Sequence, residues 1–322
     1  MASVLPETRR RPLRVALEHS TVQREPVRLL EAHNGLSALV GAWASSNGRG
    51  STKAFAGTWI SSLTECASKG FPDEEILGFA SRLAVVEEVV RVSPLPLVVD
   101  GDSGGDQAHF AFMVRSLERH GVSAVIIEDQ RFPKRNSLDT RAQHTLEDPA
   151  TFAKKIAWGC AARLTTDCLI IARIESFIAG AGLEDALARA SIYIEAGADA
   201  IMIHSRRSDP SEVFAFSRAF QTRHGERTVP LVCVPTTYNQ TTDGALFAAG
   251  FKIIIHANHL LRSALKAMQD TARTILSADR SWECNPQCVA VSELITPVQG
   301  FQRQGASTLP NKDTDGHITA TL

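Results

Sequence analysis

Short apolar runs rich in β-branched residues recur along this 322-residue chain, each followed by a segment with helical spacing. No other feature restricts the fold as much. The runs are Phe55–Ser61, Leu95–Asp102, Ser123–Asp129, Cys168–Glu175, Ala200–Ser205, Pro230–Pro235 and Lys252–Ala257. Parallel strands buried on both faces read this way, because helices cover their outer side. Between the runs, Phe110, Met113, Val114 and Leu117 share one helical face that stops at Gly121. Leu183, Leu187, Ala190 and Ile194 repeat the pattern and stop at Gly197. With Glu31-Ala-His33 as a weak first strand the count is eight. That favours a closed (β/α)8 TIM-type barrel over an open doubly wound sheet.

The length exceeds the usual single domain, but α/β barrels routinely take it as one. The reading divides the chain into a flexible N-terminal segment (1–25), a barrel catalytic domain (26–300) and a polar, aperiodic tail expected to be disordered (301–322). Ser45–Thr52 is a polar, Gly-containing loop without the Gly-Lys-Ser/Thr ending of a P-loop. Hydrophobic residues at 44% supply a large core, and a formal net charge of -1 argues against nucleic acid or an anionic membrane as partner. No apolar run is long enough to span a bilayer, and the basic start lacks the apolar stretch of a secretory signal. Six scattered cysteines suit a reducing compartment, so a cytoplasmic location is expected. Cys284-Asn-Pro-Gln-Cys288 has no second Cys/His pair to complete a zinc site.

Functional groups of a barrel gather at the C-terminal ends of its strands. Here those ends read Asp100-Gly-Asp102, Glu128-Asp129, Arg173-Ile-Glu175 and His204-Ser205. Residues i and i+2 of a strand face the same way, so Asp100 and Asp102 are expected to point together into the barrel mouth. Any single polar strand end is commonplace where a strand meets water. Four in succession carrying carboxylates, arginine and histidine point to a site. Hard oxygen donors without a cysteine set suit magnesium better than zinc.

The stretch Glu128-Asp-Gln-Arg-Phe-Pro-Lys-Arg-Asn-Ser-Leu138 closely resembles the gating-loop signature of phosphoenolpyruvate mutases, within the isocitrate lyase/PEP mutase superfamily. Supporting matches are Glu31-Ala-His-Asn-Gly-Leu-Ser37, Asp100-Gly-Asp102, Ala172-Arg-Ile-Glu-Ser-Phe-Ile-Ala-Gly180 and Ala198-Asp-Ala-Ile-Met-Ile-His-Ser205. Val234-Pro-Thr-Thr-Tyr238 and Ala257-Asn-His259 also fit, so the resemblance runs in order from about residue 28 to 300. It implies that Asp100 holds Mg2+ directly, with Asp102 and Glu128 acting through coordinated waters. Asp73, Asn136, Arg173 and His204 would be catalytic, the last two around the transferring phosphoryl group. Trp59, Ser61, Ser62 and Leu63, with Lys134 and Ser137 on the loop, would bind substrate. Taken alone, Asp73 in Phe-Pro-Asp-Glu-Glu reads equally well as an exposed helix cap. His33 and His259 read as structural.

The implied activity is interconversion of phosphoenolpyruvate and 3-phosphonopyruvate, forming the C–P bond of phosphonate biosynthesis. That step is uphill in the family, so a downstream enzyme, often a decarboxylase, would draw it forward. The resemblance also implies a homodimer or homotetramer with a helix-exchanged C-terminal helix. Departures are Ser103-Gly-Gly-Asp-Gln107 where mutases have Thr-Gly-Tyr-Gly-Asn, Gln130 for a lysine, and the Ser45–Thr52 insertion. Ile76-Leu77 after Asp73 is closer to phosphonopyruvate hydrolases, whereas Asn136 before Ser137 is mutase-like. A hydrolase releasing pyruvate and phosphate is therefore the main alternative. A C–C lyase of the 2-methylisocitrate type lacks its Lys-Cys-Gly loop here, and a non-catalytic keto-acid-binding barrel is the fourth reading.

Overall fold

A computed structural model describes residues 4–48, 51–225 and 229–295. One compact unit spans Val4–Leu261. It opens with helix α1 (Pro6–Gln23), strand β1 (Val27–Glu31) and helix α2 (Gly35–Trp43), followed by an antiparallel pair, β2 (Ser45–Gly48) and β3 (Ser51–Ala54). Strand β4 (Gly57–Ile60) precedes α3 (Ser62–Ser68) and α4 (Phe79–Val92). Then β5 (Leu97–Asp100), α5 (Gln107–Arg119), β6 (Ala124–Glu128), α6 (Pro149–Ala162), β7 (Leu169–Ile174) and α7 (Gly182–Glu195) alternate. The alternation ends with β8 (Ala200–Ile203), α8 (Ser211–His224), β9 (Leu231–Cys233), α9 (Asp243–Ala248) and β10 (Phe251–His256). Eight parallel strands close in the order β1-β10-β9-β8-β7-β6-β5-β4. The barrel read from the apolar runs is the fold.

Strand alternation divides the core into two shells. Val98, Ile126, Ile171 and Met202 belong to one cluster of buried residues, while their neighbours Val99, Ile127, Ala172 and Ile203 belong to another that includes the helix residues Phe110, Val114, Phe152 and Leu187. The second cluster joins strands to the helical ring and the first fills the barrel interior. Because both strand faces are buried, the runs lack the polar alternation of a half-exposed sheet.

The N-terminal segment differs from its expected flexibility. Its 18 residues from Pro6 to Gln23 form α1, and Leu13, fully buried, joins the interior cluster with Val27, Leu29, Val98 and Leu169. Ala16 and Leu17 pack against the same cluster. Arg9 and Arg10 donate to the carbonyls of Val90 (2.9 Å) and Glu118 (2.5 Å), in the last turns of α4 and α5. Carbonyls in a last helical turn lack their usual amide four residues on; Arg9 supplies a donor to Val90, and Arg10 adds to the Gly121 amide (3.0 Å) on Glu118. The Ser45–Thr52 segment likewise differs from a plain loop: its described backbone pairs as β2 and β3, with residues 49–50 outside the described set. Residues 301–322 also lie outside it.

Helix α10 (His259–Ala278) carries the chain into a second unit from Arg262 onward. In that unit a 3-10 turn, Trp282–Gln287, buries Cys284, whose thiol lies 3.7 Å from the Thr271 carbonyl. Among the described residues no helix is long and apolar enough to cross a membrane.

Leu13→Ala should lower the unfolding free energy by about 2–5 kcal/mol, the usual cost of a cavity at a fully buried leucine. Urea unfolding followed by circular dichroism measures it. A loss below about 0.5 kcal/mol, the range of a surface change, would show that α1 does not seal the interior.

Candidate active site

The barrel places its charged strand ends together. β5 ends on Asp100, β6 on Glu128, β7 carries Arg173 and leads to Glu175, and β8 leads to His204. Gly101 lets β5 and β6 approach closely, since a Cβ there would lie 3.0 Å from the Ile127 and Met113 side chains and 3.1 Å from the Ile126 carbonyl. Asp102 does not continue the strand. It turns into the left-handed region (φ 53°), which aspartate tolerates better than most residues. Strand alternation is thus not what unites Asp100 and Asp102. The turn does so, and the Asp102 amide donates to Asp100 Oδ1 (3.0 Å).

Six buried carboxylates meet here: Glu65, Asp73, Asp100, Asp102, Glu128 and Glu175. Arg82, Lys134 and Arg173 are threaded among them and equally buried, the partly exposed Lys69 reaches Glu65 Oε1 (3.0 Å), and burial pushes the Glu128 pKa well above the carboxylate range. Arg82 reaches Asp102 Oδ2 (2.6 Å) and Glu65 Oε2 (3.2 Å) and donates to the Asp100 carbonyl. Arg173 donates from Nε to Glu175 Oε1 (2.5 Å) and from Nη2 to Ser137 Oγ (2.7 Å), with Glu128 Oε2 3.1 Å away. His204 Nδ1 lies 2.9 Å from Arg173 Nη2 and 3.0 Å from Glu175 Oε1. Burial, then Arg173, pushes the His204 pKa below the usual imidazole value, so the ring is neutral near pH 7. Burial opposes the Glu175 charge, but Arg173 and His204 outweigh it and hold its pKa well below the carboxylate range.

Lys134 occupies the centre. Its ammonium lies 3.0 Å from Asp73 Oδ1, 3.2 Å from Asp102 Oδ1 and 4.0 Å from Glu128 Oε1, and donates to Ser62 Oγ (2.8 Å). Ser62 Oγ in turn donates to Asp100 Oδ2 (3.1 Å). Burial works against the charge on Lys134, but Glu128, Asp102 and Asp73 outweigh it and raise its pKa well above the usual value.

The loop carrying Lys134 is latched shut. Asn136 Nδ2 donates to Asp73 Oδ2 (2.6 Å), the Lys134 amide donates to Glu75 Oε2 (3.0 Å), and Arg135 pairs with Glu74 at the surface (2.5 Å). Asp73 is therefore a buried latch, and the exposed-cap reading does not apply: α4 begins only at Phe79. Gln130 binds both backbone groups of Arg135, accepting from its amide (3.3 Å) and donating to its carbonyl (3.0 Å). A lysine at 130 could not accept. In the divergent Ser103–Gln107 segment, Ser103 donates to Glu75 Oε1 (2.6 Å), and Asp106 caps α5 through the His109 amide (2.9 Å).

The partly open pocket beneath the loop has a volume of about 40 Å3 and is lined by Trp59, Ser61, Ser62, Leu63, Asn136 and His204, among others. All thirteen residues singled out in the sequence meet around this cavity or in the network bounding it. Arg82 and Glu75 were not singled out, and Glu175 was named within the strand end Arg173-Ile-Glu175 without a role of its own. Arg82 was legible as a charge on the apolar stripe of α4, beside Val85, Val86 and Val89. Glu175 was legible too, since its i, i+2 spacing puts it on the same side of the chain as Arg173. Nothing local marks Glu75, whose partners lie 28 and 59 residues away.

The donor chemistry suits a hard divalent cation. Asp102 Oδ1 and Glu128 Oε2 make no hydrogen bond and rely on ion pairs, leaving hard oxygen atoms without a donor. Among the described residues no three His, Cys, Asp or Glu side chains are already arranged as a metal-ligand set.

The family model described as phosphoenolpyruvate phosphomutase matches residues 17–276. The chain is 34% identical to the phosphoenolpyruvate phosphomutase of Tetrahymena pyriformis over 286 residues, covering 88% of this chain and 89% of that one. It is equally close, at 34% over 301 residues, to the phosphonopyruvate hydrolase of Variovorax sp. (strain Pal2), covering 93% and 97%. A crystal structure of phosphonopyruvate hydrolase with oxalate and Mg2+ superposes with a TM-score of 0.80 at 33% identity, over 92% of this chain and 97% of that one. Barrel, strand-end carboxylates and whole-length similarity agree: this chain is an enzyme of the phosphoenolpyruvate phosphomutase family, within the PEP mutase/isocitrate lyase superfamily.

Proposed function

We propose that the enzyme interconverts phosphoenolpyruvate and 3-phosphonopyruvate. The observation that carries this reading is the loop latched by Asn136 on Asp73 over a cavity of about 40 Å3. A phosphoryl group in transit can be captured by the enolate carbon or by water, and a lid held down from inside the pocket favours the carbon. In the forward direction the enol oxygen–phosphorus bond breaks and its electron pair returns to the enolate. Phosphorus, in a metaphosphate-like state, then bonds to C3. Arg173 presents a planar guanidinium fixed by Glu175, and neutral His204 and the Asn136 amide add hydrogen bonds to the phosphoryl oxygens. Asp100, Asp102 and Glu128 would hold Mg2+, which supplies charge for the pyruvate oxygens when bound; Ser61, Ser62 and Leu63 line the cavity together with Asp100. The Mg2+ in the related hydrolase crystal supports the choice of metal. A homo-oligomer and a downstream enzyme consuming phosphonopyruvate complete the proposal.

Hydrolysis of phosphonopyruvate is the second reading, favoured by the equal 34% identity to a hydrolase. Phosphorus NMR of the protein with phosphonopyruvate and Mg2+ separates the two. Wild type should yield mainly phosphoenolpyruvate, whereas stoichiometric phosphate with no phosphoenolpyruvate at any time means hydrolysis. Asn136→Ala should slow isomerisation by about two orders of magnitude, as for loss of one oxyanion donor, and shift the residual products toward phosphate. Arg173→Lys retains charge but not the planar fork, so kcat should fall at least about tenfold with a smaller change in KM. An effect confined to KM would make Arg173 a binding group only.

The depressed pKa of His204 has a stability consequence. Below about pH 6.5 the unfolded chain takes up a proton that the folded site resists, so the contribution of His204 is complete above that pH and declines as pH falls through it. The stability difference between wild type and His204→Gln, from urea unfolding, should therefore shrink between pH 7.5 and 5.5, a window of about one unit either side of the imidazole value. A difference that grows as pH falls would mean the ring is held charged.

A further inference from the structure

We infer that Asp129, a fully buried carboxylate that does not line the cavity, is a positioning residue that aims the Arg173 guanidinium through Glu175. The inference rests on the proposal that Arg173 meets the phosphoryl group. Strands β6 and β7 pair in parallel as far as Glu128 and Arg173, and the Asp129 amide still donates to the Arg173 carbonyl (3.1 Å). In a ladder continued one step further, the Asp129 carbonyl would accept from the Glu175 amide. It does not. That carbonyl accepts from the Glu147 amide (2.8 Å), and the Glu175 amide donates to Asp129 Oδ1 (2.8 Å) instead. The side chain replaces its own carbonyl in the ladder. It thereby carries the register of β7 on to Glu175, whose Oε1 accepts from Arg173 Nε (2.5 Å) and lies 3.0 Å from His204 Nδ1.

Asp129 is itself fixed from α7. Its other oxygen, Oδ2, accepts from the Tyr193 hydroxyl (2.8 Å) and from Arg189 Nη1 (3.2 Å). Arg189 also donates from Nη1 to the Glu147 carbonyl (2.9 Å) and from Nε to Asp185 Oδ2 (2.8 Å). Asp185 Oδ2 accepts from the Ser176 hydroxyl (2.7 Å), so α7 holds the chain at Glu175 through Asp129 and at Ser176 directly. Asp129, Glu175 and Tyr193 are fully buried, so a group deprived of its partner here gains no bulk water in exchange. The pair of Oδ2 with Arg189 would by itself be structural. The bond of Oδ1 to the Glu175 amide is what gives Asp129 a bearing on the site, because a catalytic group misplaced by about 1 Å can cost about 100-fold in rate.

The test compares Asp129→Ala, which removes both oxygens, with Asp129→Asn, which keeps an acceptor for the Glu175 amide and loses the charge facing Arg189. Both should lose stability in urea unfolding, but only Asp129→Ala should lose turnover. Its kcat with phosphonopyruvate and Mg2+, counted as substrate consumed whichever product forms, should fall at least about tenfold with a smaller change in KM, while Asp129→Asn stays within about threefold of wild type. Added to Arg173→Lys, Asp129→Ala should cost less than about threefold more, because the fork it aims is already gone. Crystals of Asp129→Ala should show the Arg173 guanidinium displaced from its wild-type position by about 1 Å or more. Equal losses of turnover in the two variants, full additivity with Arg173→Lys, or an unmoved guanidinium would overturn the inference and leave the proposed reaction standing. Wild type that consumes no phosphonopyruvate would overturn the proposed reaction, and the crystallographic comparison would then decide the positioning role. Should Asp129→Ala not fold, Tyr193→Phe, which takes one donor from Asp129 Oδ2, should lower kcat by about threefold or more, and an unchanged kcat would overturn the inference.

Discussion

Carboxylates brought together out of water need positive charge, and the barrel mouth is organised around meeting that need. Removing an ion from water costs several kcal/mol even after relaxation, and mutual repulsion adds to it. Asp102 is held by Arg82 from α4 and by Lys134 from the lid, and Glu128 by Arg173 from β7 and more distantly by Lys134. Each cation comes from a different element, so the charges can settle only when helix, strand and loop are all in place. Lys69 adds a further charge on Glu65, and burial pushes the Glu128 carboxyl toward its neutral form.

Rigid and movable parts are separated accordingly. Arg173, Glu175 and His204 stand on or beside strands buried on both faces, where position is set by the ladder and the two shells of the core. Their mutual contacts lie between 2.5 and 3.0 Å and fix the guanidinium before any substrate arrives. Lys134 and Asn136, in contrast, ride on a loop held by side-chain ties to Asp73 and Glu75. Preorganised charge on the scaffold and water exclusion by a loop are the two requirements of a phosphoryl group moved between oxygen and carbon.

Much of this was legible in the sequence, for reasons that differ by element. The strands were readable because burial on both faces leaves unbroken apolar runs, as in Leu169–Ile174, where every residue is buried. Site residues at strand ends were readable because a barrel assigns them to one rim. Helix α1 was not, since Leu13, Ala16 and Leu17 are diluted by arginines whose partners are carbonyls more than 80 residues away. The β2–β3 pair was hidden by its polar composition. Asp102 was assigned to the right place for the wrong reason, because a backbone turn at φ 53° leaves no mark in the residue types. The seat of Lys134 among the metal candidates was beyond reach, since spacing along a chain does not encode where a lid comes to rest.

In the proposed reaction the phosphoryl group is transferred within a pocket that water does not enter. Turnover of phosphonopyruvate by wild-type enzyme and Mg2+ in 18O-enriched water, followed by the isotope shift in phosphorus NMR, tests it directly. Phosphoenolpyruvate is expected as the main product, with no 18O on phosphorus. Inorganic phosphate carrying one solvent 18O as the main product would contradict it.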